Sequence, residues 1–199
     1  MMEIFFFNSI KSECEVIFDV GAQQSIYLNE PIDVHYFEPL ASELEILKST
    51  HTNKKGFFNC FGLGEREEYL KYYDYGAFFD RSASGVNGMV IAEFPIKRGD
   101  DYINEHDIQR IDFLKIDVEG FELSVLKGFG DKLNIVKYIQ FEYGCGLNDA
   151  GHTLNEIVTL LKTFNFTDFS RIDNYTTIPI TSYDDDWKWS NIVCKNTKI

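Results

Sequence analysis

Residues 112–128, DFLKIDVEGFELSVLKG, concentrate side chains able to do chemistry. Lys115, Asp117 and Glu119 alternate with Leu114, Ile116 and Val118, and side chains two apart on a strand share a face. The spacing predicts an apolar strand with one charged row, followed by a helix that Gly120 opens. Such a strand belongs in a parallel α/β sheet covered on both faces, where an unpaired charge is costly. Ligands of these sheets bind beyond the carboxyl ends of the strands, the end at which Asp117 and Glu119 fall. Glu142, in YIQFEYG, closes the next apolar run and is positioned to converge on the same pocket. Glu119 and Glu142 are therefore candidate general bases, with mutual repulsion and desolvation raising one pKa toward neutrality. Asp117 is the candidate to orient a reacting group, and Lys115, deeper on the strand, to pair with one of these acids. Two other readings stay open. Lys115 and Glu142 would form a purely structural ion pair, with Glu119 a carboxylate at a helix N-terminus, or Asp117, Glu119 and Glu142 would together hold a divalent cation. His106 and His152 are rival bases, ranked below Glu142 because NEHD and DAGHT are polar, solvated contexts.

The elements that must carry these residues alternate. Strands are expected at 16–20, 34–37, 57–61, 113–118 and 138–143, and helices at 42–49, 121–126 and 154–164, the last with Thr153 as N-cap. Two late strands, 168–172 and 191–195, add an antiparallel edge. Residues 64–110 interrupt the rhythm. Tyr69, Tyr72, Tyr73, Tyr75, Phe78 and Phe79, then Ser82, Ser84, Gly85 and Gly88, read as extra strands and a Gly/Ser loop. Tyr75 is a candidate to stack on an acceptor ring, Ser82 and Ser84 to close over the site, and Arg81 to hold an acidic acceptor. The acidic run 184–186 beside Trp187 and Trp189 reads as a turn before an edge strand.

A net charge of −13 repels polyanions and argues against a nucleic-acid partner. The four cysteines are widely spaced without a CxxC pair, as expected of reduced thiols in a cytoplasmic protein. The apolar run 4–7 is too short to span a membrane. With 199 residues, a single domain over 1–199 is expected.

The first strand ends in DVGAQQS and the second in FEP, placing Glu38 about 20 positions after Asp19, the interval at which this architecture grips a ribose diol. A dinucleotide pyrophosphate needs several glycines, and only Gly21 is present, which disfavours a nicotinamide cofactor. S-adenosylmethionine (SAM) has no phosphate, and one glycine suffices for it.

VIFDVGA, YFEPLASELEIL, NCFGLGERE, IDFLKIDVEGFELSVLKG, YIQFEYG and LNEIVTLLKTFNF occur in the order seen in the FkbM family of SAM-dependent methyltransferases, which the chain resembles from about residue 16 to about residue 194. The resemblance implies a Rossmann-like class I methyltransferase fold, a seven-stranded, mostly parallel sheet with one antiparallel strand and, here, a β-rich insertion around 64–110. It also implies SAM as methyl donor, with S-adenosylhomocysteine (SAH) as product, and a hydroxyl of a sugar, glycan or related small molecule as acceptor. Matched onto this chain, the cofactor-binding positions are Asp19, Gly21, Ala22, Glu38, Pro39, Gly62, Leu63 and Asp117. The family turn commonly continues GAN-x-G, whereas this chain has GAQQS, with Gln23 and Ser25 at the altered positions. The short interval from Gln23 to Asp33 holds about two helical turns. A methyltransferase-fold binding module without turnover is the alternative reading.

Overall fold

The computed structural model describes residues 3–23, 25–27, 29–52, 55–74, 88–144, 150–183 and 189–199. Tyr75, Phe78, Phe79, Arg81, Ser82, Ser84 and Gly85 lie outside the described residues, as do the acidic run 184–186 and Trp187. Eleven strands and five α-helices are described: α1 Glu3–Ile10, β1 Val16–Val20, β2 Asp33–Phe37, α2 Ala41–Thr50, β3 Gly56–Asn59, β4 Gly62–Leu63, β5 Glu68–Tyr73, β6 Val90–Lys97, α3 Gly99–Glu105, β7 Ile111–Ile116, α4 Glu122–Phe129, β8 Val136–Gly144, α5 Leu154–Thr163, β9 Phe166–Asp173, β10 Thr176–Pro179 and β11 Trp189–Asn196.

The main sheet has the order β10-β9-β11-β8-β7-β1-β2-β3. From β3 to β8 every neighbouring pair is parallel, and β11 is antiparallel to both β8 and β9. The seven strands expected of a class I methyltransferase are thus joined by an eighth, the short β10, which pairs antiparallel with β9. The β-rich insertion is a separate sheet of order β4-β6-β5. No helix is described between Gly21 and Asp33, so the short interval there is a loop among the described residues.

Central strands read as continuous apolar runs because both faces are covered. All six residues of β7 are buried. One face packs Phe18, Val20, Leu114, Ile116 and Ile139 against Leu123, Leu126 and Phe129 of α4 and Ile157 and Leu161 of α5. The other carries Ile17, Val34 and Phe113 under Phe7 and Ile10 of α1 and Leu44 and Leu47 of α2. Helix α5 starts with a full capping box between Thr153 and Glu156, which satisfies amide groups the first turn leaves orphaned.

Helix α4 lies hard against the strand that leads into the insertion. A Cβ added at Gly128 would sit 2.0 Å from the carbonyl oxygen of Gly64. In an open helix, replacing glycine with alanine stabilises by about 1 kcal/mol. Here the clash is with backbone, which cannot rotate away, so Gly128→Ala is expected to destabilise the fold by about 1–3 kcal/mol in urea denaturation. A stabilised variant would show that α4 stands further from residues 62–65 than described.

Candidate active site

Asp19 and Lys115 occupy the same row of neighbouring parallel strands, as register partners of β1 and β7. Asp19 is fully buried, and burial raises its pKa against the opposing pull of the Lys115 ammonium, 3.5 Å away, and the Ser25 hydroxyl. Lys115 also reaches Asp117 at 3.3 Å. The predicted structural pairing of Lys115 with Glu142 is therefore replaced by a bridge from Asp19 to Asp117, because the side chain turns toward the β1 side of its strand. Ser25, which stands where the family commonly has glycine, is itself buried.

Above this pair the chain turns tightly. The amide of Asp117 donates to the carbonyl of Val20 (3.0 Å), and those of Gly21 and Ala22 both donate to Phe37 (3.0 and 3.2 Å). Gly21 has φ +78°, and a Cβ there would fall 1.8 Å from the Asp117 carbonyl oxygen. The single glycine of DVGAQQS is thus required twice, by its conformation and by the approach of the β7 end. Glu38 follows β2 and is buried. One of its oxygens accepts from the Gln23 amide (3.1 Å) and the other from the Leu40 amide (2.8 Å). Burial raises its pKa, and these two N–H groups oppose the rise.

Between these walls lies a cavity of about 510 Å³, within the range of small-molecule and cofactor sites. Gly21, Glu38, Pro39, Gly62, Leu63 and Asp117 line it. Lys115 and Glu119 reach it as well. Asp19 and Ala22 do not. Asp19 is buried beneath its floor, and the Ala22 side chain packs into the core under α1. The insertion forms the far wall through Leu70, Tyr72, Phe94 and Ile96. Of the aromatic stretch, Tyr72 is the described residue that reaches the cavity. Burial raises its pKa, as do the charges of Glu119 and Glu38.

Asp117 and Glu119 of the lining and Glu142, which is beside them but not itself in the lining, each present an oxygen within 4.8 Å of the others, the spacing of a cation site. Glu142 also accepts a bond from the indole N–H of Trp189. Burial, then the neighbouring Asp117 charge, pushes its pKa up to about 8. Neither rival histidine lies at the cavity. His106 stacks on Tyr102, with Nδ1 2.9 Å from that residue's carbonyl, and His152 lies 3.9 Å from Glu156.

A family model for the methyltransferase FkbM domain matches residues 19–175. The chain belongs to the FkbM methyltransferase family. Solved structures resemble this FkbM domain at low sequence identity. A plantazolicin methyltransferase, BpumL, in complex with a pentazolic desmethylPZN analogue and SAH, is 10% identical with a TM-score of 0.52, over 98% of this chain and 82% of that one. A SAM-dependent methyltransferase from Agrobacterium tumefaciens is 7% identical at 0.50, over 97% and 61%. A putative tRNA (m1A22) methyltransferase from Streptococcus pneumoniae is 11% identical at 0.46, over 92% and 64%. The FkbM chain spans less than two thirds of the length of the last two. No curated protein sequence matches it.

Sequence reasoning passed over two groups at this FkbM site. The apolar wall of Leu70, Phe94 and Ile96 comes from a sheet whose folding back over the cavity leaves no local signature. Glu122, buried at the start of α4, was detectable as an acid two residues after the glycine turn.

The Glu142 pKa sets a stability trend. A carboxyl raised from 4.5 to about 8 in the fold binds its proton more tightly folded than unfolded. Its contribution is therefore fully present below about pH 4.5 and is lost as pH rises through 8. Glu142→Gln removes that loss. The melting temperature of the variant relative to the native chain is expected to increase between pH 5 and pH 9, and a constant difference would contradict the raised pKa.

Proposed function

We propose that this chain transfers the methyl group of SAM to a hydroxyl oxygen of a saccharide or related small-molecule acceptor, acting as one methyltransferase domain over its whole length. The observation that carries the reading is the joining of an adenosyl-sized cavity, with Glu38 on one wall and Asp117 on another, to the Glu142 carboxyl, which lies beside Asp117 and whose pKa burial raises to about 8. The residues fit the cofactor. Each Glu38 oxygen that accepts a backbone N–H keeps a second lone pair, enough to receive the two hydroxyls of a ribose. Pro39, Leu40, Leu63 and Ile96 supply apolar surface for a base. SAM supplies an electrophilic methyl group, and the protein's part is to align an oxygen about 3 Å from it and take the proton that oxygen loses.

Glu142 is the base in this reading. A carboxylate with a pKa of about 8 is a far stronger base than one at its ordinary value and is still substantially ionised near pH 8. The Asp117 carboxylate lies beside it, held in place by Lys115 3.3 Å away. Glu119 is the second candidate, aimed from the loop above. An acidic rim disfavours anionic acceptors such as polynucleotides and suits neutral polyols, whose hydroxyls donate to carboxylates. Widely spaced free thiols, among them Cys14, Cys60 and Cys194, fit a reducing cytoplasm.

Two measurements test the reading. Titration calorimetry with SAM, SAH and NAD is expected to give micromolar binding of the first two, weakened at least about tenfold by Glu38→Ala, as expected for a lost charge-assisted hydrogen bond. Absence of SAM and SAH binding would overturn the assignment in favour of a non-catalytic module. With an acceptor found by screening saccharides, kcat is expected to rise with pH through an apparent pKa near 8. Glu142→Gln should flatten that limb and lower kcat by about 10²–10⁴.

A further inference from the structure

The loop from Asp117 to Gly120 carries two of the three rim carboxylates, yet its own backbone is poorly supported by the sheet. Strand β7 ends at Ile116, and after the Asp117 amide pairs with Val20 no strand partner is described for the next three residues. Two successive residues there are left-handed, Glu119 at φ +53° and Gly120 at φ +105°. For glutamate that conformation is strained, and surrounding bonds must offset the strain.

Those bonds come from Glu122. Its Oε1 accepts from the amides of Val118 and Gly120, both at 3.2 Å, one on each side of Glu119. The side chain is buried, and its Oε2 has no hydrogen-bond partner among the described residues. A carboxyl hidden this completely without a cation is costly, so its place needs a reason. We propose that Glu122 is the positioning residue of this site, a clamp that reaches back from the first turn of α4 and fixes the left-handed turn that aims Glu119 and Asp117 into the cavity. Burial lifts its pKa to about 7, held down by the amides of Glu122 itself, Gly120 and Val118. Its function is the acceptor oxygen between two N–H groups, which a neutral amide also supplies.

The catalytic arm of this proposal rests on the methyl-transfer reading above, and the test separates the two. Glu122→Gln keeps an acceptor oxygen at the same reach, and Glu122→Met keeps the volume without one. Hydrogen exchange read by NMR is expected to show the Val118 and Gly120 amides protected in the native chain and in the Gln variant, with at least tenfold faster exchange in the Met variant, while β7 and β8 amides are unchanged. In the same proteins kcat should be near native for Gln and lower by about 10–100-fold for Met, with SAM KM changed much less, as misplacement of reacting groups predicts. Unprotected Val118 and Gly120 amides in the native chain would overturn the clamp without any variant. So would equal exchange in the Gln and Met variants, or a Met variant with native kcat. Exchange as expected in a chain that transfers no methyl group would leave the clamp standing and remove the reaction.

Discussion

The bridge that Lys115 makes between Asp19 and Asp117 constrains the rest of the structure. Taking a carboxylate as buried as Asp19 out of water costs several kcal/mol, and the Lys115 ammonium 3.5 Å away offsets part of that cost. The cation sits on β7, so β1 and β7 must lie side by side, parallel and in one register. That register carries the end of β7 over the β1 turn, where the Asp117 carbonyl leaves room for glycine alone at position 21. One buried ion pair therefore fixes strand order, the glycine turn and the place of Asp117. Its value is specificity more than stability, since an apolar pair of the same volume would hold the strands as well but would leave Asp117 unpaired at the cavity.

On the other side of the sheet, an aromatic layer holds the β2 wall. Phe18, Phe37 and Tyr102 pack edge to face, and His35 lies between them with Nδ1 2.8 Å from the Tyr102 hydroxyl. Burial lowers the His35 pKa to about 4, so the ring stays neutral and exchanges a plain hydrogen bond with the tyrosine. Asn59, at the end of β3, reaches the same hydroxyl at 3.3 Å and the Tyr36 carbonyl at 3.0 Å. The ends of β2 and β3 are thus tied together at Tyr36, two residues before Glu38. This rigidity matters because Glu38 stands on a loop, where its orientation otherwise depends on two backbone N–H bonds.

Periodicity made the sheet legible. Apolar runs of β-branched and aromatic residues located β1, β2, β7 and β8 to within a residue or two, and Thr153 announced α5 as its N-cap. Lys115, Asp117 and Glu119 were legible as charges of one site, but not as one strand face, since β7 ends at Ile116 and Glu119 is left-handed, and the partner of Lys115 was not legible either. Whether Lys115 turns to β1 or to β8 depends on which neighbour buries an acid on the same row, and strand order is not written locally. The third wall of the cavity was hidden for a similar reason. Leu70 on β5 and Phe94 on the central β6 alternate with polar residues as half-buried strands do, and only the folding back of the small sheet turns their face toward Glu38. The family motifs carried information that spacing lacked, since they marked Gly62 and Leu63, which local chemistry alone does not single out.

A chain with a net charge of −13 must find hosts for its internal acids, and here the hosts are mostly backbone. Asp112, at the far end of β7, accepts from the amides of Glu15 (2.7 Å) and Val16 (3.0 Å) besides pairing with Arg110. Glu38 and Glu122 each take two N–H groups, and Asp19 and Asp117 share one lysine. Glu142 is different. Among the described residues the indole of Trp189 donates to it and the Asp117 carboxylate lies against it, with no backbone amide and no cation beside it. Two N–H groups oppose the rise that burial imposes on Glu38 and Glu122 without cancelling it, whereas Glu142 has one indole and a neighbouring negative charge that adds to the rise. Burial raises both Glu122 and Glu142, and the poorer hosts of Glu142 carry it higher, to about 8 against about 7, on the strand next to that of Lys115.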